Sequence, residues 1–529
     1  MAGAEVAAGV ANADHMTDGK RILTFVLMAF GMFMALLDTQ IIASSIAEIQ
    51  SGLAATADEI SLIQTSYLIA EVIMIPMSGW LSRMLSTRWL FTISAAGFTL
   101  ASLLCATAQS IESMVIYRAL QGFLGGAMIP TVFATGFVLF TGPKQAKIPA
   151  ILGLTATLAP VLGPTIGGVI TDYLSWRWIF FINIVPGLLI TFMVPRLVKI
   201  DRPDLNLAKH FDFIGALFLA LFLGCLQYVL DEGARRGWME DNTLFLLAIV
   251  SGVSGVLFVT RSLTNHEPIV DLTAFKDRNF LIGCLLSFIV GIGLYGTTYL
   301  TPVFLGHLRG YSALQIGTTV FIVGVFQIMA TPLTVILRDR LGVKVLLLIG
   351  FGVFGISCLA FGQIDATWGK EQLWLPQALR GFATMFCIVP VTAIALSTLS
   401  PEELKGASGL YNLMRNLGGA IGLALINTNL FYNRLTLHYN QLLEHLNIAG
   451  SHANAQLDAL TQYLGARITD PDLAARAALK LVSNLTRREA LVIGFTDVYF
   501  WMALVFFFGV LLIPLVKALP PMKLAPADH

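Results

Sequence analysis

The chain has 529 residues, 56% of them apolar and only 12% charged, with a formal net charge of +1. A mean hydropathy of +0.77 excludes a soluble globule, whose surface needs about twice that share of charge. The near-neutral balance leaves no basic footprint for nucleic acid.

A spanning helix takes about 20 mostly apolar residues, and such runs recur roughly 14 times along the chain. They lie near 22–44, 60–81, 89–107, 112–139, 148–170, 178–198, 212–230, 243–263, 280–305, 313–337, 344–362, 373–398, 405–431 and 494–517. Runs such as 245–259 (FLLAIVSGVSGVLFV) lack the alternation of a β-barrel strand, so the fold class is all-α integral membrane. The first twenty residues lack the basic start and small-residue cleavage site of a signal peptide, so the first apolar run is expected to stay as a helix. An even number of spans puts both termini on one side. The excess of Lys and Arg in alternate loops (Arg83 and Arg88, Lys144 and Lys147, Arg196 to Lys209, Arg338 to Lys344) makes that side cytoplasmic. Cys105, Cys225, Cys284, Cys358 and Cys387 all fall in apolar runs without metal-ligand spacing, so no disulfide is expected.

Along the chain, the chemistry-bearing residues are few. Asp38 follows a long apolar run in Leu37-Asp38-Thr39-Gln40-Ile41, and Glu71 lies mid-span in Tyr67–Ile73. An intramembrane carboxylate is a functional candidate by default; for Glu71 the alternative is a buried hydrogen bond or an ion pair with Arg118 or Arg415. The loop Gly79–Arg88 carries Arg83 and Arg88. Arg118 opens Arg118-Ala119-Leu120-Gln121-Gly122 in the fourth span, where it needs a cavity or a carboxylate; a structural anchor is the other reading. Span five holds Ala159-Pro160-Val161-Leu162-Gly163-Pro164-Thr165-Ile166-Gly167-Gly168. Its glycines allow close helix approach and its prolines free carbonyls. Trp176–Asn183 precedes the rest of span six. Phe288, Tyr295, Tyr299, Phe326 and Met329 on spans nine and ten have helical spacing, and are either cavity-lining or packing and lipid-facing residues. Arg415 lies in Leu413–Gly422 of span thirteen. Residues 432–493 form the one sizeable polar stretch, with Leu457, Leu460 and Leu464 at helical spacing and Asp470-Pro471-Asp472 as a helix start. One or two amphipathic helices are expected there, serving an adaptor, a lid or a connector.

The chain also repeats. Pro76–Arg83 after the second span is echoed by Pro332–Asp339 after the tenth, and Leu120-Gln121-Gly122-Phe123 by Leu379-Arg380-Gly381-Phe382, each with a proline (Pro130, Pro390) further on. Repeated halves facing a central site are a transporter arrangement. There is no Walker A sequence, metal-spaced cluster or nucleophile elbow, so no enzyme activity, cofactor or metal is expected. With no histidine mid-membrane, proton binding falls to Asp38 and Glu71.

These segments resemble the major facilitator superfamily, in particular its fourteen-helix drug:proton antiporter branch of the EmrB type. Residues 159–168 resemble the antiporter pattern G-x-x-x-G-P-x-x-G-G with Ala159 at the first glycine, and 118–122 resemble R-x-x-q-G. Residues 37–41 resemble L-D-x-T-I with Gln40 in the threonine's place, and Ala43 and Ala47 replace an asparagine and a proline beyond it. Residues 79–88 resemble G-x-L-a-D-r-x-G-r-k, but Arg83 stands for the aspartate and Ser86 for the second glycine. The later copy, Asp339-Arg340-Leu341-Gly342-Val343-Lys344, keeps both.

The resemblance implies a cytoplasmic tail (1–21), an N-terminal six-helix half (22–198), a linker with two inserted spans (199–279), a C-terminal six-helix half (280–517, with periplasmic loop 432–493) and a second tail (518–529). It implies a bacterial inner-membrane multidrug antiporter, driven by the proton gradient and conferring resistance. Asp38, Glu71 and Arg118 would couple protons. Gly163, Pro164, Gly167 and Gly168 would form the antiporter motif. Gly79, Arg83, Arg88, Asp339, Arg340 and Gly342 would form the cytoplasmic conformational motif, and Arg380 and Arg415 are buried charges of the second half. Implied partners are the bilayer, amphipathic substrates, protons, a periplasmic adaptor and an outer-membrane channel. A proton-coupled importer of the same fold, or a channel or scaffold, remains the alternative.

Overall fold

Polar backbone groups cannot face lipid unpaired, and the computed structural model meets that demand with helices. It describes residues 17–42, 45–56, 59–140, 142–265, 267–448, 450–468 and 470–517; of the expected tails, all but residues 17–21 fall outside these. In chain order the helices are α1 (Asp18–Ile41), α2 (Ile46–Gly52), α3 (Ser61–Leu85), α4 (Thr87–Ala106), α5 (Ile111–Gly126), α6 (Met128–Leu139), α7 (Ile148–Tyr173), α8 (Trp178–Phe181) and α9 (Ile184–Leu197). Then come α10 (Phe213–Arg236), α11 (Asn242–Thr264), α12 (Arg278–Arg309), α13 (Ala313–Leu341), α14 (Val343–Phe361), α15 (Lys370–Leu396), α16 (Pro401–Asn427), α17 (Leu435–Ile448), α18 (Gly450–Gly465) and α19 (Pro471–Leu512).

Among the described residues, 13 helical segments are long and apolar enough to cross a membrane, α5 with α6 and α8 with α9 each counting as one. The remaining expected span, the thirteenth, is α16, which carries Glu402, Glu403, Lys405 and Arg415 yet is wedged between α12 and α3. A Cβ on Gly418 would lie 2.1 Å from the Phe288 carbonyl oxygen, and one on Gly409 2.8 Å from that of Ile75. The expected spans are therefore all present as helices. Two of them break. Pro130 offers no N–H to the Gly126 carbonyl, and the fourth span divides at Ala127. The sixth divides at Ile182–Asn183, where Asn183 has a use described below.

The repeat seen in the sequence is a packing repeat. A Cβ on Gly122 would lie 2.2 Å from the Tyr67 carbonyl oxygen, and one on Gly381 2.4 Å from that of Val323. These pairs lie at corresponding places in the two halves, so backbone contact without intervening side chains joins α5 to α3 and α15 to α13. The inserted pair α10–α11 leans on α3, with Gly224 near Ile69 and Ile73 and Ser61 Oγ donating to Glu232 Oε1 at 3.0 Å. It also reaches the second half, where Trp238 Nε1 donates to Thr428 Oγ1 at 2.9 Å.

The expected amphipathic helices of 432–493 are α17, α18 and the first half of α19. The last is continuous with the final span, a single helix of 42 residues and about 63 Å at 1.5 Å per residue. A π-helical turn, Thr428–Arg434, leads from α16 into α17. Asp497 of α19 anchors that turn, 3.3 Å from Arg434 Nη1 and 2.9 Å from His438 Nε2.

Candidate proton-coupling site

Asp38 sits near the end of α1, 1% exposed, and is enclosed by three donors, two from α5 and one from the break between α8 and α9. Arg118 Nη1 of α5 donates to its Oδ2 at 2.5 Å. Gln121 Nε2, one turn further along α5, donates to Oδ1 at 3.1 Å. Asn183 Nδ2 donates to Oδ1 at 2.6 Å; because the sixth span breaks there, the residue turns inward, and it also donates to Ser102 Oγ at 3.1 Å. Arg118 is wholly buried. Its guanidinium lies 4.2 Å from the Tyr67 ring centroid and donates to Gln121 Oε1 at 2.6 Å, while Nη2 has no hydrogen-bond partner. A buried cation needs such compensation, since an unpaired charge in low dielectric costs several kcal/mol.

The antiporter segment explains how α1 is held. A Cβ on Gly163 would lie 2.6 Å from Gln40 Cβ and 3.1 Å from the Gln40 carbonyl carbon, so α7 presses directly on the turn after Asp38. Gly167 and Gly168 are buried beyond it, and Pro164 is half-buried. On its other side α7 meets the second half: Thr165 fills the space at Gly317, and Val161 that at Gly324. One helix thus touches both the Asp38 turn and the opposing half.

Glu71 is 5% exposed, and no hydrogen bond or ion pair joins it to another described residue. Its backbone is pressed by Gly126, whose Cβ would lie 2.8 Å from the Glu71 carbonyl oxygen. It stands within electrostatic reach of Arg118 in its own half and Arg415 in the other. Arg415 is 3% exposed; Nη2 donates to Asn412 Oδ1 at 2.5 Å, Nη1 has no partner, and the guanidinium lies 5.5 Å from the Phe133 ring of the first half. Neither ion pair considered for Glu71 forms.

The second half repeats this design without its acids. Arg118-Ala119-Leu120-Gln121-Gly122-Phe123 becomes Gln377-Ala378-Leu379-Arg380-Gly381-Phe382, with arginine and glutamine exchanged. Gln327 stands where Glu71 does, four residues beyond the backbone that its half's glycine touches. Arg380 is 2% exposed and no ion pair reaches it among the described residues; its Nη1 has no hydrogen-bond partner, nor have Gln327 Oε1 and Gln377 Oε1. The buried acids among the described residues are Asp38, Glu71, Asp212 and Glu232, none of them from 280–517.

At the end of the bundle carrying loop 83–88, the two halves meet closely. A Cβ on Gly79 would lie 2.7 Å from Gly406 Cα. Arg83 is exposed and Arg88 lies 5.2 Å over the Trp89 ring, so the arginine standing for the family's aspartate makes no latch. Asp201 stands there instead: it accepts from Thr87 N–H at 2.9 Å and Thr87 Oγ1 at 2.8 Å, and pairs with Lys405 of the other half at 2.6 Å. Asp339 and Arg340 are exposed, and Asp339 meets Arg338 at 3.4 Å. Gly342 takes φ 79°, ψ 163°, a region nearly reserved for glycine; Ser86, its counterpart, is forced to φ 73°, ψ 153°.

The chain matches the Major Facilitator Superfamily over residues 28–423. It belongs to that superfamily. It is 38% identical over 483 residues to the colistin resistance protein EmrB of Acinetobacter baumannii, covering 91% of this chain and 94% of that one. It is 30% identical over 499 residues to the multidrug export protein EmrB of Haemophilus influenzae, covering 94% and 95%. The fold is that of the superfamily's solved members. The human organic anion transporter MFSD10 superposes with a TM-score of 0.59 at 14% identity, covering 94% of this chain and 100% of that one. The proton:xylose symporter XylE gives 0.57 at 16%, covering 94% and 95%.

Of the residues singled out in the sequence, Asp38, Arg118 and Gly163 come together, and Glu71 faces them and Arg415. The five aromatic and methionine candidates separate. Phe288 and Tyr295 pack on Gly418 and Gly419 of α16, and Tyr295 OH donates to Asn416 Oδ1 at 3.1 Å. Tyr299 is half-buried on α12. Phe326 packs edge-on against Trp374 at 5.7 Å. Met329 is 62% exposed, on the side of α13 away from Gly324 and Val323. The sequence reading passed over Gln121 and Asn183 as separate ligands of Asp38, although both lie within segments it quoted. Asp201 carried no signal beyond its place in a basic linker.

Proposed function

We propose that the chain exports amphipathic small molecules from the cytoplasm in exchange for protons, by alternating access between two six-helix halves. The observation that carries this reading is the asymmetry of buried charge: acids in the first half, uncompensated arginines in the second. Antiport requires that proton and substrate be mutually exclusive, directly or through the conformational equilibrium. Glu71 is suited to the proton, because burial without a hydrogen bond leaves its charged form supported only by Arg118 and Arg415. Protonated, it no longer attracts Arg415 across the seam, so proton uptake alters the force between the halves. Asp38 holds Arg118 in place. In this reading α7 passes the state of the Asp38 turn to α13, and the Asp201–Lys405 pair closes the cytoplasmic side. The EmrB relatives support multidrug export. Both termini are cytoplasmic in the inner membrane, and the arm formed by α17, α18 and the first half of α19 lies on the outer side, where it is available to a periplasmic adaptor. No cofactor is required.

The test is purified protein in proteoliposomes with an internal pH dye and an imposed proton gradient. Adding substrate should move protons opposite to substrate. Glu71→Gln should abolish this coupling without lowering thermal stability, since no hydrogen bond or ion pair is lost. Movement of both in the same direction, or full coupling in Glu71→Gln, would overturn the proposal.

A further inference from the structure

The inserted helices α10 and α11 take no part in the transport reading, yet they bridge the seam between the halves. Near loop 83–88, α3 and α16 meet backbone to backbone, at Gly79 with Gly406 and at Ile75 with Gly409. α3 is 25 residues long, and at its opposite end the insert supplies the link. On the first half, Ser61 Oγ donates to Glu232 Oε1 at 3.0 Å. Glu232 is 1% exposed and is also held by Arg235 and, at 3.3 Å, by Arg236 Nε. On the second half, Trp238 Nε1 donates to Thr428 Oγ1 at 2.9 Å, and that hydroxyl in turn donates to the Ala424 carbonyl at 2.8 Å. Thr428 opens the π-helical turn that runs to Arg434, and Asp497 ties that turn to α19. Each end of the bridge is thus anchored in its own half, and the indole hydrogen bond spans the gap between them.

Trp238 is also strained. α10 ends on Gly237 at φ 75°, as a glycine cap does, but Trp238 follows at φ 57°, in the left-handed region that bulky residues avoid. Such a conformation persists only where surrounding contacts over-determine it. Two contacts do so here. The ring lies on Gly233, where a Cβ would be 2.7 Å from its carbons, and the indole N–H reaches Thr428. The π-helical turn that receives it is an irregular element of a kind found at functional sites. A strained donor bonded between two anchored bodies is a release catch: the bond holds the bodies together, and the strain lowers the cost of letting go. We propose that the insert is a clasp across the seam, in which the Trp238–Thr428 bond holds shut the end of the bundle away from loop 83–88 and breaks when that end opens. The inference rests on the alternating-access reading and assigns the control of one of its two openings.

The test is the distance between spin labels on Glu112→Cys at the start of α5 and Lys370→Cys at the start of α15, both exposed and at the end away from loop 83–88. The full chain is used in nanodiscs, with the five native cysteines replaced by alanine. Two distances, closed and open, are expected in this parent. Trp238→Phe keeps a ring on Gly233 and removes the donor; it should raise the open population relative to the closed by about fivefold, the worth of one hydrogen bond. Thr428→Val should do the same, and the double variant should add nothing further, because both changes remove the same bond. Two distances in the parent with unchanged proportions in both single variants would overturn the clasp and leave alternating access standing. A lowered melting temperature with unchanged proportions would mark the bond as structural and likewise overturn the clasp. A single distance in the parent and in every variant would overturn both the clasp and the alternating-access reading beneath it.

Discussion

Replacing Asp38 by asparagine separates its two roles, holding Arg118 and taking part in coupling. The substitution keeps the shape and one acceptor oxygen but removes the one carboxylate that pairs with Arg118 among the described residues, where the Arg118 side chain is 0% exposed. It also presents an NH₂ group to Asn183 and Gln121, which now donate to Asp38 at 2.6 and 3.1 Å. Breaking a buried pair by removing one partner costs about 3–5 kcal/mol, because the other charge stays behind. Asp38→Asn should therefore lower the thermal unfolding midpoint in detergent and abolish substrate-induced proton flux. Adding Arg118→Gln removes the stranded charge, and most of the lost stability should return while coupled flux does not. Stability unchanged in the single variant would refute the account of a caged ion pair. Coupled flux regained in the double variant would show that Asp38 serves only to hold Arg118, and proton coupling would then rest on Glu71 alone.

Three further outcomes follow from the packing. Gly122→Ala places a methyl 2.2 Å from the Tyr67 carbonyl oxygen, a backbone atom that cannot rotate away, so α3 and α5 must separate; a loss of about 1–3 kcal/mol is expected in thermal unfolding. Ser86→Gly should stabilise the protein by about 1 kcal/mol, since relief of backbone strain outweighs the few tenths lost when Ser86 Oγ no longer caps α4; a lower midpoint would contradict this. Asp201→Lys or Lys405→Asp alone should impair transport and loosen the Gly79–Gly406 contact, read by cross-linking of introduced cysteines. The exchanged pair should recover part of both, since a lysine in place of Asp201 cannot accept from Thr87, with a coupling energy of about 1 kcal/mol in the double-mutant cycle.

The fourteen spans were legible in the sequence, because a bilayer requires an uninterrupted apolar run for each crossing and such runs are a local property. Asp38, Glu71, Arg118, Arg380 and Arg415 were legible for the complementary reason: a charge inside an apolar run costs too much to be incidental. Who compensates each charge was a tertiary matter. Asn183 lies 145 residues from Asp38 and reaches it only because the sixth span breaks, whereas Arg415 lies near Glu71 without pairing with it. Met329 shared helical spacing with Phe326 and still faces outward, since periodicity gives a face but not its neighbour. Arg83 is a change in a sequence pattern, but the substitute aspartate, Asp201, lies 118 residues further on and became visible only when the chain was folded. Composition and local pattern determine what must be buried, while the packing of distant helices decides which buried groups meet.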